Sequence, residues 1–219
     1  MNTNFTLSTG DAIIFDMDGT LWNALDSYAR IWNVCMREFA ISGQIEAADL
    51  LRYMGFSIEE IFSHGIIQTP PNLNRHLFLK RLEEIEDEMM PTLGGVLYPG
   101  VADGLKTLSR HFTLMLQSNC SAKGLVNFMH FTHTEAFFRD YLSWGMNPQP
   151  KSVNIRLLME RNGISRAVYV GDTGSDCRHA HDAGIPFVYM NYGFGTCDDA
   201  DLEFSSFPQF VNHIMSHIK

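Results

Sequence analysis

The sequence predicts an α/β fold in which a parallel β-sheet carries helices on both faces. Short apolar runs recur along the chain, and their β-branched and aromatic content favours strands. These runs do not alternate with polar residues, which is typical of strands that are buried on both faces. Helical patterns separate the runs, and a repeated strand–helix–strand order indicates this class of fold.

Four strands and three helices are predicted for the sheet region. The predicted strands are residues 12–15, 112–116, 167–170 and 187–190. The predicted helices are residues 101–110, 152–161 and 175–183. Gly163 and Gly184 follow the last two helices, and glycine often ends a helix because it tolerates the left-handed conformation.

Residues 22–90 interrupt this order and contain no convincing strand. Apolar side chains recur every three or four residues from Leu25 to Phe39 and again from Phe78 to Met89, which indicates two amphipathic helices. The other face of the second helix is predicted to be a solvated acidic surface, formed by Glu83, Glu84, Glu86, Asp87 and Glu88. We therefore expect an α/β core of residues 1–21 and 91–219 and an all-helical insertion of residues 22–90.

Composition and charge exclude several classes of protein. The chain has 219 residues, which fits one or two domains, and its net charge of −9 argues against a nucleic-acid partner. Its four cysteines form no CxxC pair and are expected to be reduced thiols in the cytoplasm. No apolar run approaches the roughly 18 residues of a membrane helix, so no membrane association is expected.

Polar residues follow three of the predicted strands, where ligands bind in open α/β sheets. Asp16 and Asp18 come after the first strand, Ser118 after the second, and Asp172 and Asp176 after the third. Two neighbouring carboxylates stay ionised only when a cation offsets their repulsion. Hard oxygen ligands of this kind favour a divalent ion, and Mg²⁺ is the expected cofactor.

The residues 16–20, Asp-Met-Asp-Gly-Thr, resemble the first motif of the haloacid dehalogenase-like hydrolase superfamily. Ser118 is similar to the second motif of that superfamily, Lys151 to the third, and residues 171–176 to the fourth. The insertion resembles the small helical cap of the phosphoglycolate-phosphatase-like subgroup. The resemblance implies a Rossmann-like core with an inserted cap domain, and a Mg²⁺-dependent phosphatase that forms an aspartyl-phosphate.

The resemblance also implies a role for each motif residue. Asp16 would be the nucleophile, Asp18 the general acid and then the base, and Lys151 would neutralise charge during the reaction. The expected substrate-binding residues are Thr20, Arg52, Ser118, Asn119 and Lys151. The expected metal-binding residues are Asp16, Asp18 through its backbone carbonyl, Asp172 and Asp176, the last more by orienting the other ligands than by direct contact.

The expected substrate is a small phosphorylated metabolite, such as phosphoglycolate or a sugar phosphate, because the cap is small. Asp18 argues for phosphoryl transfer, since relatives that release a halide need no proton donor. Two alternatives stay open: a phosphomutase of the same superfamily, and a non-catalytic phospho-acceptor or phosphate-sensing protein. The sequence is compatible with a monomer and with a homodimer.

Overall fold

The structure is a computed structural model that describes residues 6–218. Its strands are β1 (Ala12–Phe15), β2 (Trp22–Asn23), β3 (Val96–Leu97), β4 (Thr113–Ser118), β5 (Phe138–Ser143), β6 (Ala167–Gly171), β7 (Phe187–Met190) and β8 (Leu202–Phe204). Its helices are α1 (Leu25–Glu38), α2 (Ala47–Leu51), α3 (Ile58–Ser63), α4 (Arg75–Leu93), α5 (Val101–Leu108), α6 (Gly124–Thr132), α7 (Lys151–Arg161), α8 (Gly174–Ala183) and α9 (Phe207–Ser216). Within residues 6–218, no helix is both long and apolar enough to cross a membrane.

A six-stranded sheet in the order β5-β4-β1-β6-β7-β8 forms the core, and each neighbouring pair in it is parallel. The central strand β1 is buried on both faces. Ile13 and Phe15 belong to one hydrophobic cluster, while Ala12 and Ile14 belong to a second cluster. The predicted fold class, a parallel sheet with helices around it, is therefore confirmed.

The strands β5 and β8 do not appear among the predicted strands. They lie at the two edges of the sheet, and most of their residues are partly buried or exposed. Edge strands tolerate polar side chains such as Arg139 and Asp140, so these strands lack the continuous apolar run that reveals an inner strand.

The helices α1 to α4 lie between β2 and β3 in the chain. The expectation that residues 22–90 contain no strand is wrong at its first residues, because Trp22–Asn23 pairs antiparallel with Val96–Leu97. A strand of two residues is too short to produce a periodic pattern. The side chain of Trp22 is fully buried, and its ring lies 5.0 Å from that of Phe128 in an edge-to-face arrangement.

The acidic face of α4 also differs from the prediction. Glu83, Glu84 and Glu88 are exposed, but Glu86 is only 5% exposed and Asp87 is half-buried. Glu86 stands four residues after Leu82, which places both side chains on the buried side of the helix. The same spacing that indicates the apolar face could therefore have revealed the burial of Glu86.

Candidate functional site

The site lies at the carboxyl end of the sheet, around β1 and β6. The strands β1 and β6 are neighbours in the sheet. Along the chain, the next strand of this sheet after β1 is β4, which lies on the side of β1 away from β6, and the next strand after β6 is β7, which lies on the side of β6 away from β1. The connections after β1 and β6 thus diverge and leave a crevice between the two strand ends, which is where open α/β sheets bind ligands. Asp16 follows β1 at this crevice, and its backbone N–H donates to the carbonyl of Val170 at 2.8 Å.

Lys151 joins two of the predicted carboxylates. It begins α7 and is only 2% exposed, and its Nζ donates to Asp16 Oδ1 at 2.8 Å and to Asp176 Oδ1 at 2.7 Å. Burial by itself disfavours the ammonium, but the two carboxylates outweigh this effect and raise the pKa of Lys151 well above its ordinary value. The lysine is thus a fixed positive charge beside Asp16.

Asp16, Asp172 and Asp176 form a buried group of carboxylates. One oxygen from each lies within 4.8 Å of the others. Burial raises the pKa of Asp16 to about 6, against the opposing effect of Lys151, and burial together with Asp176 raises the pKa of Asp172. One ammonium cannot neutralise three carboxylates, so the geometry and the oxygen donors fit a hard divalent cation.

Asp172 is oriented by two further contacts. Its Oδ2 accepts a hydrogen bond from the backbone N–H of Phe194 at 2.7 Å, and its Oδ1 accepts a long one, 3.5 Å, from the hydroxyl of Thr20. Gly19 has a φ of +82°, and a Cβ at this position would collide with the side chain of Asp172. Glycine is therefore required at residue 19 both by the backbone conformation and by this close approach.

Asp18 lies outside the group of three carboxylates. The indole Nε1 of Trp22 donates to its Oδ1 at 2.9 Å, and the hydroxyl of Tyr28 donates to its Oδ2 at 3.1 Å. Burial and the neighbouring Asp16 raise the pKa of Asp18 to about 8, in spite of these hydrogen bonds. A carboxyl group with that pKa carries a proton at neutral pH and can act as a general acid.

Of three expected substrate-binding residues, Ser118 and Asn119 line a cleft beside Asp16, and Arg52 does not. Ser118 ends β4, is buried and lines a cleft beside Asp16. Asn119 lines the same cleft, but its side-chain Nδ2 donates to the carbonyl of Gly55 in the insertion at 2.7 Å. Arg52 is exposed and does not line the cleft; its guanidinium lies 4.8 Å above the ring of Tyr53.

The cleft has a volume of about 590 Å³ and is open to solvent. The strand ends supply its polar floor, and the insertion supplies a largely apolar wall that includes Trp32, Leu50, Met54 and Phe56. Sequence reasoning missed Ser121, which follows the end of β4, and two polar lining residues of the insertion, Tyr28 and Glu86. Both residues of the insertion lie on the helix face that carries the regularly spaced apolar residues. This spacing was the one feature of the sequence that could have indicated that they are directed into the protein.

Comparisons with known proteins show which sequences and folds this chain is similar to. The model of the family described as haloacid dehalogenase-like hydrolase matches residues 13–190. A phosphoglycolate phosphatase from Synechococcus elongatus is 29% identical over 186 residues, which are 84% of this chain and 84% of the relative.

Solved structures share the fold at lower sequence identity. A predicted phosphoglycolate phosphatase from Haemophilus somnus superimposes with a TM-score of 0.77 at 19% identity, covering 93% of this chain and 97% of the other. CbbY from Rhodobacter sphaeroides, solved in complex with phosphate, gives a TM-score of 0.77 at 21% identity, covering 91% and 96%.

Proposed function

Because the chain belongs to the haloacid dehalogenase-like hydrolase family, we propose that it is a Mg²⁺-dependent phosphatase that acts on a small phosphomonoester metabolite through an aspartyl-phosphate. Phosphoric monoester hydrolysis is the reaction class that the family and its phosphoglycolate phosphatase relatives support. The observation that carries the proposed mechanism is the pairing of Asp16 with Lys151 at the end of the central strand.

In the proposed reaction, Asp16 is the nucleophile. One carboxylate oxygen forms a bond to phosphorus while the bond from phosphorus to the leaving oxygen breaks. Lys151 holds Asp16 in one orientation through the 2.8 Å contact and offsets part of the negative charge that the phosphoryl group brings. Ser118, which lines the cleft beside Asp16, is proposed to bind a phosphoryl oxygen, and Thr20 to support the site through Asp172.

Asp18 is the proposed proton carrier. Its raised pKa, about 8, means that it enters the reaction protonated at neutral pH and can give its proton to the leaving alkoxide. The resulting carboxylate then accepts a proton from the water that attacks the aspartyl-phosphate. The hydrogen bonds from Trp22 and Tyr28 keep its side chain in place during both steps.

The carboxylates of Asp16 and Asp172 are the proposed metal ligands, with Asp176 as a third carboxylate that Lys151 and Thr173 also contact. When bound, Mg²⁺ would reduce the repulsion between the anionic nucleophile and the anionic substrate. The donor set is made of oxygen atoms only, which suits this ion better than a soft metal.

We propose that residues 22–90 act as a cap over a core of residues 1–21 and 91–219. The bond from Asn119 to the carbonyl of Gly55 links the end of β4 to the insertion directly above the cleft. A closed cap would exclude bulk water while Asp16 attacks the ester, and it would restrict the site to small substrates. The four cysteines are free thiols, which supports a cytoplasmic location.

The test is phosphate release from p-nitrophenyl phosphate and from a panel of phosphorylated metabolites, with Mg²⁺ and with excess chelator. We expect many turnovers with Mg²⁺ and none with chelator. Release of only one equivalent of product would indicate a phospho-acceptor protein instead. Transfer of phosphate to a sugar phosphate, without net release, would indicate a phosphomutase.

A further inference from the structure

Glu86 is a buried carboxylate of the cleft that the proposed mechanism does not use. It lies on α4, and its Oε1 accepts a hydrogen bond from the hydroxyl of Ser121 at 2.7 Å. Ser121 belongs to the loop after β4, so this contact brings an acidic side chain of the insertion to the cleft wall. Within residues 6–218, the carboxylate makes no other hydrogen bond, and Glu86 lines the cleft.

Asn119 provides a second acceptor in the same cleft. Its Oδ1 is buried and has no hydrogen-bond partner among residues 6–218. The orientation of this amide is set by the Nδ2 contact with the carbonyl of Gly55, because a carbonyl can only accept. A buried acceptor without a donor is costly, so a bound ligand that donates a hydrogen bond would relieve this cost.

The ionisable side chains that line the cleft are acidic, and Asp18 among them carries no charge at neutral pH because it is protonated. Its lining includes the carboxyl groups of Asp16, Asp18 and Glu86, and no lysine, arginine or histidine lines it in the described part of the chain. Lys151 lies behind Asp16 and is already engaged by two carboxylates. The part of the cleft away from the phosphoryl site therefore offers no cation to a second negative group on the substrate.

The aromatic wall fits the same chemistry. Trp32, Tyr53 and Phe56 of the insertion line the cleft opposite its polar floor. Aromatic faces attract C–H surfaces and positively charged ammonium groups, and they repel anions. Hydrogen-bond acceptors, carboxylates and aromatic faces together favour a substrate whose leaving group is neutral or cationic.

We infer that the cleft selects phosphomonoesters whose leaving group donates hydrogen bonds and carries no negative charge, and that Glu86 sets this preference. The inference rests on the proposed phosphatase function and narrows it. Esters of polyols and amino alcohols satisfy it, whereas 2-phosphoglycolate, the substrate in the names of the relatives, brings a carboxylate into a cleft that has no basic side chain to pair with it in the described part of the chain.

Three esters on the same two-carbon frame test this preference: 2-phosphoglycolate, 2-hydroxyethyl phosphate and phosphoethanolamine. They differ in a terminal carboxylate, hydroxyl or ammonium. We expect the kcat/KM of the wild type for the last two to exceed that for 2-phosphoglycolate by about tenfold or more, since juxtaposed like charges are strongly unfavourable. A wild type that prefers 2-phosphoglycolate overturns the inference without any variant.

The variant Glu86→Gln tests the residue itself. Burial raises the pKa of Glu86 to about 7, so the assay is run at pH 8, where this side chain is mostly ionised. We expect the ratio of kcat/KM for phosphoethanolamine to kcat/KM for 2-phosphoglycolate to fall by about tenfold, because the amide keeps the shape and loses the charge. The matched control is Glu83→Gln, which removes an exposed charge from the same helix and should leave the ratio unchanged. An unchanged ratio in Glu86→Gln, or an equal loss for all three esters, would show that Glu86 only ties α4 to Ser121.

A binding measurement tests this inference independently of the proposed phosphatase function. The three esters are titrated by calorimetry into the Asp16→Asn variant, with and without Glu86→Gln. This measures the ratio of their affinities without turnover. Failure of the wild type to hydrolyse even p-nitrophenyl phosphate would reject the phosphatase function. The ratio of affinities would still show whether the cleft prefers leaving groups without a negative charge. Equal affinity for the three esters would overturn the inference.

Discussion

The hydroxyl of Tyr28 donates a hydrogen bond to Oδ2 of Asp18 at 3.1 Å, so the first helix of the insertion holds the second aspartate of the strand-end motif. This contact joins a side chain of residues 22–90 to the proposed proton carrier. Tyr28 thus contributes to the electrostatics of the site, because its hydrogen bond favours the ionised form of Asp18.

Replacement Tyr28→Phe should raise the pKa of Asp18 further above its ordinary value, since the hydrogen bond that opposes burial is lost. We expect the basic limb of the pH profile of kcat, where Asp18 loses its proton, to move to higher pH. The rate should fall about tenfold, because this hydrogen bond also keeps the side chain of Asp18 in place, and the loss of one hydrogen bond costs about 1 kcal/mol.

The control for this variant is Tyr53→Phe, which removes another hydroxyl from the cleft lining. Tyr53 makes no hydrogen bond to Asp18 among the residues that the structure describes, so its pH profile should match the wild type. A basic limb that stays in place in Tyr28→Phe would contradict the proposed role of Asp18.

Replacement Asp16→Asn should lower turnover by about a thousandfold or more, because the amide cannot attack phosphorus. Acid-quenched wild-type enzyme should retain label from a ³²P-labelled substrate, and the variant should retain none. The exposed Asp103→Asn should behave as the wild type in both measurements. Labelling of Asp16→Asn at the wild-type level would exclude covalent catalysis through this residue.

Replacement Lys151→Met should destabilise the protein in the absence of a divalent ion. Asp16 and Asp176 would lose their shared cation in a buried site, and breaking a buried pair in this way costs about 3–5 kcal/mol. Urea unfolding measures the loss, with the exposed Lys106→Met as the matched control. A loss no larger than that of the control would mean that the carboxylates are not charged there.

A pair far from the site predicts how stability depends on pH. Arg161 donates two hydrogen bonds of 2.6 Å to Asp140, and Asn162 donates another. Burial favours the protonated acid, but these hydrogen bonds outweigh it and lower the pKa of Asp140 below its ordinary 3.8. A lowered pKa adds stability that is present above pH 3.8 and lost as the pH falls below it.

The variant Asp140→Asn should therefore be less stable than the wild type by about 1 kcal/mol at neutral pH, as expected for a partly exposed ion pair. The difference in unfolding free energy should shrink as the pH falls below about 3.8. Denaturant unfolding at several pH values measures it. A difference that grows toward acid would contradict the sign of the pKa shift.

The inner part of the fold could be predicted because its signals are local. The apolar runs of β1 and β7 match the observed strands at both ends, since strands buried on both faces contain few polar residues. The edge strands and the pairing of Trp22–Asn23 with Val96–Leu97 depend on neighbours that are distant in sequence, and short or half-exposed segments show no pattern of their own.

By itself, the sequence determined four inner strands of the sheet, several of the helices between them and the carboxylates at the strand ends, because each depends on residues close together in the chain. Only the tertiary structure decided which groups meet. Lys151 contacts Asp16 across 135 residues and Asp176 across 25, Glu86 lines the cleft, and Arg52 does not line it. These contacts follow from how helices pack on the sheet, where burial and pairing of charges outweigh any local preference.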